Sequence, residues 1–302
     1  MMCEMFGISR QAYYKRLKRN DKIKMQQGNI VQLIQLQRKA MPRLGGRKMY
    51  HQIKTQLHQL PVRMGRDKLF SFMRENKLLV RRKKKFTKTT NSFHRFRKYP
   101  NLIKGIKIKR PEQVWVSDIT YIKTNEGHSY LCLITDAYSK QIMGHYLSDN
   151  LKTDGPLTAL QMAMAKRKYP RRTLIHHSDR GFQYCDPRYT GMLGDNHILP
   201  SMTQSYDPYE NAIAERVNGI LKDEFEIGEG FIHQKHAEKE IKQSIGIYNT
   251  LRPHLSCNYL TPAQAHLHGT YKLRKWGRLL TNKHILTKEK CSKKENYDII
   301  NN

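Results

Sequence analysis

From Pro111 onward the chain alternates in a way that few folds satisfy. The runs EQVWVSDITYIKT, SYLCLITDAYS and KQIMGHYLS are strand-like, and Thr124-Asn125-Glu126-Gly127 supplies the turn between the first two. Helical spacing then covers residues 154–168, a strand residues 173–177, a helix residues 186–196, a strand residues 197–202, and a long helix about residues 207–225. A last helix over residues 237–248 precedes the proline-containing segments NTLRPH and LTPAQA. Three antiparallel strands followed by alternating helices and strands predict an α/β fold: a mixed sheet with helices on both faces.

The residues before this core are of another kind. Residues 1–110 hold 31 Lys and Arg against 4 Asp and Glu, whereas residues 111–302 hold 25 against 21. An excess of +27 in so short a stretch repels itself without a polyanion, which makes nucleic acid the expected partner. The first residues resemble the second half of a helix-turn-helix. Gly7-Ile8-Ser9 forms the turn, Ser9 the N-cap, and Arg10, Tyr13, Tyr14, Lys15 and Arg19 the helix, with Arg10 and Lys15 as candidate DNA contacts. A second helical region carries apolar residues at Ile30, Leu33 and Ile34, then Tyr50, Ile53 and Leu57, then Leu69, Phe70 and Met73, with a turn at Pro61. Residues 80–110 have no period and read as a basic linker in which Phe86, Phe93, Phe96 and Tyr99 interleave with cations, a pattern that suits stacking on unpaired bases and equally a plain solvated linker. The expected organisation is a helical DNA-binding, helix-turn-helix-like region over 1–79, a basic linker over 80–110, the α/β core over 111–268 and a basic tail over 269–302.

No apolar run approaches a membrane span and the N-terminus lacks an uninterrupted apolar stretch, so a cytoplasmic location is expected. Five scattered cysteines without a C-x-x-C predict reduced thiols and no zinc site.

Three acids stand out. Asp118 lies inside VWVSDITYI, where alternation puts it on a face with Val114 and Val116, and an isolated charge there is too costly unless paired, hydrated or metal-bound. Asp179 follows the apolar Leu174 and Ile175 in TLIHHSDRGFQYC, and Glu215 lies on the helix ENAIAERVNGILKDEF. A sheet-and-helix arrangement would gather them into a set of hard oxygen ligands for divalent cations. Asn211, Asn218 and Lys222 share the helical face of Glu215 and are candidate DNA contacts near the metals. Of the two histidines, His177 shares the face of Asp179, and both are expected to be structural. Asp136 is assigned to a turn or supporting role, and Asp149, Asp207, Asp223 and Glu224 to surface or capping roles.

HSDRGFQY, PSMT, PYENAIAERVNGILKDEF and the segment from Tyr248-Asn249 to Arg252-Pro253-His254 closely resemble the DDE transposases of bacterial insertion sequences, in the frameshifted class whose second frame encodes a retroviral-integrase-like core (the IS-three family). The resemblance covers about residues 1–268. It implies a ribonuclease-H-like fold with Asp118, Asp179 and Glu215 as a metal-binding catalytic triad. Asp118 would bridge two Mg²⁺, with Mn²⁺ as a substitute, while Asp179 and Glu215 each complete one site. It also implies binding of element ends and target DNA, strand cleavage and 3′-hydroxyl transfer, a homo-oligomer on DNA, an upstream-frame product as fusion or partner, and residence at the bacterial nucleoid. QSYDPYENA departs from the Gly and Asp that many relatives carry before the helix, which leaves the triad intact. A DNA-binding remnant or repressor is the alternative from another class, and a retroviral-type integrase is disfavoured by the lack of an N-terminal His-His-Cys-Cys module.

Overall fold

Strands β1 (Val114–Thr124), β2 (Gly127–Asp136) and β3 (Ile142–Ser148) form an antiparallel meander, and β4 (Leu174–Ser178) and β5 (Ile198–Met202) join in parallel beyond β1. The resulting order β3-β2-β1-β4-β5 is the ribonuclease-H-like mixed sheet. This computed structural model describes residues 7, 9–60, 64–81, 95–204 and 208–268. The expected turn at Pro61, the residues Phe86 and Phe93 and the tail lie outside the described residues.

Alternation along the central strands builds two cores. Ile122, Leu131 and Leu133 point to the face covered by α7 (Ala212–Glu224) and α8 (Gln234–Thr250). Trp115, Cys132 and Ile134 point to the opposite face, under α4 (Asp154–Ala165), the short α5 (Phe182–Cys185) and α6 (Pro187–Asp195). Pro208 opens a 3₁₀ turn through Asn211, so the expected helix over 207–225 becomes two pieces, as the fixed φ of proline at a helix start allows. Gly144 on β3 lets α4 approach closely: a Cβ there would sit 2.0 Å from the carbonyl oxygen of Ala159.

The N-terminal helices are α1 (Arg10–Ala40), α2 (Gly46–Gln59) and α3 (Arg66–Glu75). Ser9 caps α1 as expected, its Oγ accepting from the Ala12 N–H at 3.1 Å. The sequence suggested a recognition helix ending near Arg19 and a separate helix around Ile30. The chain instead makes one helix of 31 residues, since Gly28, the strongest helix-opposing residue between them, costs only about 1 kcal/mol. Its described side chains are exposed until Ile30, where burial begins. Ile30, Ile34, Met49, Ile53, Leu57, Leu69 and Met73 are fully buried and continuous with the α7–α8 core.

Buried polar groups fasten the edges. Asp136, fully buried, accepts from the backbone N–H groups of Glu112 and Ser139 at 2.6 and 2.7 Å, the turn role expected of it. Glu112 accepts from the Lys168 and Tyr169 N–H groups, and His266 on α9 (Pro262–His268) bridges Glu112 at 3.3 Å and the Ser139 hydroxyl at 3.0 Å. Cys132, Cys185 and Cys257 are buried and outside any disulfide. Among the described residues no helix is long and apolar enough to cross a membrane.

Candidate active site

The parallel pairing of β1 and β4 brings the first two acids level. Val116 pairs with His177, and Asp118 and Asp179 each lie two residues further on. Asp118 does share the face of Val114 and Val116, opposite Ala214 of α7. Its Oδ2 accepts from Asn218 Nδ2 at 2.7 Å. Burial, then the charge of Asp179 and more weakly that of Glu215, push the Asp118 carboxyl up to about 7 against the opposing Asn218 bond. Asp179 turns the chain after β4, its Oδ1 accepting from the Gly181 N–H at 2.9 Å. A Cβ on Gly181 would stand 2.9 Å from the same oxygen, so a larger residue there must displace the Asp179 carboxylate.

Glu215 sits in the first turn of α7 and is exposed. Its charge reaches Asp118, yet among the described residues no three His, Cys, Asp or Glu side chains converge tightly enough to hold an ion as they stand. The donor chemistry nevertheless fits a hard divalent cation. Two carboxylates share one field, a third faces them from the helix, and the Asn218 Oδ1 beside Asp118 is buried without a hydrogen-bond partner.

Asn211 and Asn218 both turn toward β1: the Asn211 Nδ2 donates to the Ser117 carbonyl at 3.0 Å while Asn218 holds Asp118. Lys222 is half-buried, and burial lowers its pKa against the nearby charges of Asp118 and Asp223. Arg10 and Lys15 lie on the exposed stretch of α1. His177 bonds the Ser201 hydroxyl at 2.9 Å and the Glu210 carbonyl at 3.1 Å, and His176 bonds the Tyr189 hydroxyl at 3.0 Å. Burial depresses them to about 4 and about 3, so both are neutral structural groups.

Glu224 is a correction. The sequence placed it among surface or capping acids, but it is part-buried at the end of α7, 2.5 Å from Lys48 of α2 and doubly bonded to Arg252 at 2.9 Å. Burial opposes its charge, and the Arg252 and Lys48 contacts outweigh it and lower its pKa. Its backbone also receives the Arg43 N–H. The same carboxylate therefore ties the helical region to the helix that carries Glu215, a role that no local spacing reveals.

Two integrase core domain families match this chain, over residues 108–208 and 196–262. The insertion element IS600 uncharacterized 31 kDa protein of Shigella sonnei is 33% identical over 266 residues, covering 87% of this chain and 96% of the relative. The transposase InsF for insertion sequence IS3A of Escherichia coli K12 is 28% identical over 270 residues, covering 87% and 92%. The magnesium complex of the HTLV-2 integrase catalytic core in its trimeric form is 18% identical, covering 52% of this chain and 97% of that one, with a TM-score of 0.41. The matches run through both strand-borne acids and through α7, with near full-length coverage of the insertion-element proteins. The chain belongs to the IS3-family insertion-sequence transposases of the DDE type, with an integrase-like core.

Proposed function

We propose that this DNA transposase cuts at insertion-element ends and joins the freed 3′-hydroxyls to target phosphates, with Asp118, Asp179 and Glu215 as its catalytic acids. The observation that carries the assignment is the parallel register of β1 and β4, which brings Asp118 within β1 level with Asp179 just beyond the end of β4, with Asp118 sensing both other charges. Burial and the neighbouring like charges leave Asp118 only part-ionised at neutral pH unless cations share the charge. Two Mg²⁺ ions, or Mn²⁺ in their place, fit these oxygen donors. When bound, such cations activate an attacking water or 3′-hydroxyl and stabilise the leaving oxygen of an in-line phosphoryl transfer.

The remaining residues prepare that site. Asn218 fixes the Asp118 carboxylate, and the Gly181 N–H fixes that of Asp179, so neither has to be oriented when substrate arrives. Asn211, Asn218 and Lys222 line the helix face toward β1, and Lys222 supplies a cation for a phosphate near the acids. Arg10 and Lys15 place further cations on α1, where duplex DNA is gripped through its backbone. The domain limits 1–79, 80–110, 111–268 and 269–302 serve as the functional division. On DNA the protein would act as a homo-oligomer at the bacterial nucleoid, joined by or fused to an upstream-frame product that sharpens end recognition. A purely binding role is not favoured for a chain with all three acids.

The test is strand transfer by the full chain. Duplexes copying the DNA that borders its gene, with exposed 3′-hydroxyls, are incubated with a supercoiled plasmid in Mg²⁺. Wild type joins them, while Asp118→Asn, Asp179→Asn and Glu215→Gln each abolish joining and retain duplex binding. A variant that still joins substantially in Mg²⁺ removes its residue from the triad.

A further inference from the structure

From Gly181 to Asp186 every residue of the segment after Asp179 is buried except Phe182, whose ring is 39% exposed. The ring of Phe96 lies against it, centroids 5.6 Å apart and planes 27° from parallel, and is itself 36% exposed. Phe96 is not carried there by a free tail. The Pro100 carbonyl accepts from the Met202 N–H at 3.3 Å, and the Leu102 N–H donates to the Ser201 hydroxyl at 2.9 Å, so the chain just after Phe96 is fastened to β5. Arg95, Arg97 and Lys98 are exposed around the pair, and the Arg97 guanidinium lies 5.2 Å from the Tyr99 ring. Lys98 and Arg180 are within electrostatic reach of Cys185, in the same segment as Phe182. Two near-parallel exposed rings set among cations, one of them three residues after Asp179, favour the stacking reading of this segment over that of a plain solvated linker.

We propose that Phe96 and Phe182 form a stacking platform for an unpaired DNA base beside Asp179, with Arg95, Arg97 and Lys98 holding the adjoining phosphates. The inference rests on the reading of the acids as a DNA strand-transfer site. An aromatic face meets a base face only when the base has left the duplex stack, and such stacking tolerates any sequence because every base has a π-face. The unpaired base comes either from a frayed element end or from a distorted target strand, and the chemistry is the same.

The probes are 2-aminopurine duplexes without divalent cation, so that binding is read apart from chemistry: one with the probe at a frayed end, one with it in an internal mismatch of a target duplex, and one fully paired. The full chain quenches 2-aminopurine in whichever unpaired duplex supplies the base, which identifies the source. Phe182→Ala removes the quenching and weakens that duplex by roughly 5- to 150-fold, the range for loss of one base–aromatic stack, while binding of the paired duplex is unchanged. Phe182→Trp restores both, and Phe96→Ala weakens both through the second ring. Paired-duplex affinity and melting temperature show that each variant is folded. Quenching by Phe182→Ala equal to wild type, or equal loss of paired and unpaired binding, overturns the proposal even if strand transfer proceeds. Failure of wild type to join ends at all instead overturns the reading of the acids.

Discussion

Substituting Glu224 by Gln keeps the shape of the side chain and removes the charge that lies between two cations. Side-chain exposures of 17% for Lys48, 15% for Glu224 and 2% for Arg252 leave little solvent to screen the loss. Removing one member of a buried ion pair costs about 3–5 kcal/mol because the partner stays buried and uncompensated. The Tyr248 ring, 5.5 Å from the Arg252 guanidinium, still supports that cation and sets the expectation near the lower end, about 3 kcal/mol. At about 2–4 °C per kcal/mol for a chain of this class, the melting temperature falls by roughly 6–12 °C. The pH dependence checks the cause. Burial and the Arg252 charge lower Lys48 to about 8 while Glu224 raises it, so the variant Lys48 titrates lower still. At pH 7 the wild-type amine is mostly charged, whereas the variant must hold that charge without Glu224 or give up the proton, and either costs stability. Well above pH 8 the amine is neutral in both folded proteins, so the Lys48 share of the deficit, on the order of 1 kcal/mol for each pKa unit separating them, disappears and the Arg252 share remains. Thermal unfolding followed by circular dichroism at pH 7 and pH 9.5 decides it. A deficit below about 1 kcal/mol at pH 7, or one that grows with pH, refutes the reasoning.

Gly181→Ala should rotate the Asp179 carboxylate out of place and lower the strand-transfer rate by at least about tenfold, with a melting temperature within a few degrees of wild type; unchanged kinetics would mean the carboxylate is not held by that turn. Gly144→Ala should instead cost about 3 kcal/mol or more, because a Cβ 2.0 Å from the Ala159 carbonyl forces β3 and α4 apart, and urea unfolding that matches wild type would contradict the close approach. Arg10→Ala and Lys15→Ala should each flatten the slope of log affinity against log salt by about 0.9, measured by fluorescence anisotropy on duplex DNA, whereas an unchanged slope takes that residue off the phosphate backbone.

Most of the core was legible because its signals are local. The alternation in VWVSDITYI announces a central strand, places Asp118 with Val114 and Val116, and survives into the structure unchanged. Asp179 follows a short apolar strand as a turn acid would, and its position level with Asp118 comes from the parallel register of β1 and β4, which no spacing specifies. Contacts distant in sequence were not legible. Glu224 looks like any helix-end acid until Lys48, 176 residues away, and Arg252, 28 residues away, are folded around it. Residues 95–103 look like a linker because their composition is cationic and aperiodic, and their attachment to β5 runs through backbone groups that composition does not encode. The unbroken α1 was misread for the opposite reason: its exposed half has no apolar stripe, so periodicity had nothing to register.

The bond between Glu112 and His266 spans 154 residues of sequence. On a ribosome adding about 5–20 residues per second, Glu112 and Asp136 would be waiting roughly 8–30 seconds before the imidazole that bridges them is made. Until then two acids meant for the interior lack their histidine at the end of the β1–β2 pair opposite its turn. A polypeptide broken off before His266 would keep Asp118, Asp179 and Glu215 but lack the histidine bonded to Glu112 and Ser139. Synthesis through His266 is thereby a condition for completing this buried polar cluster.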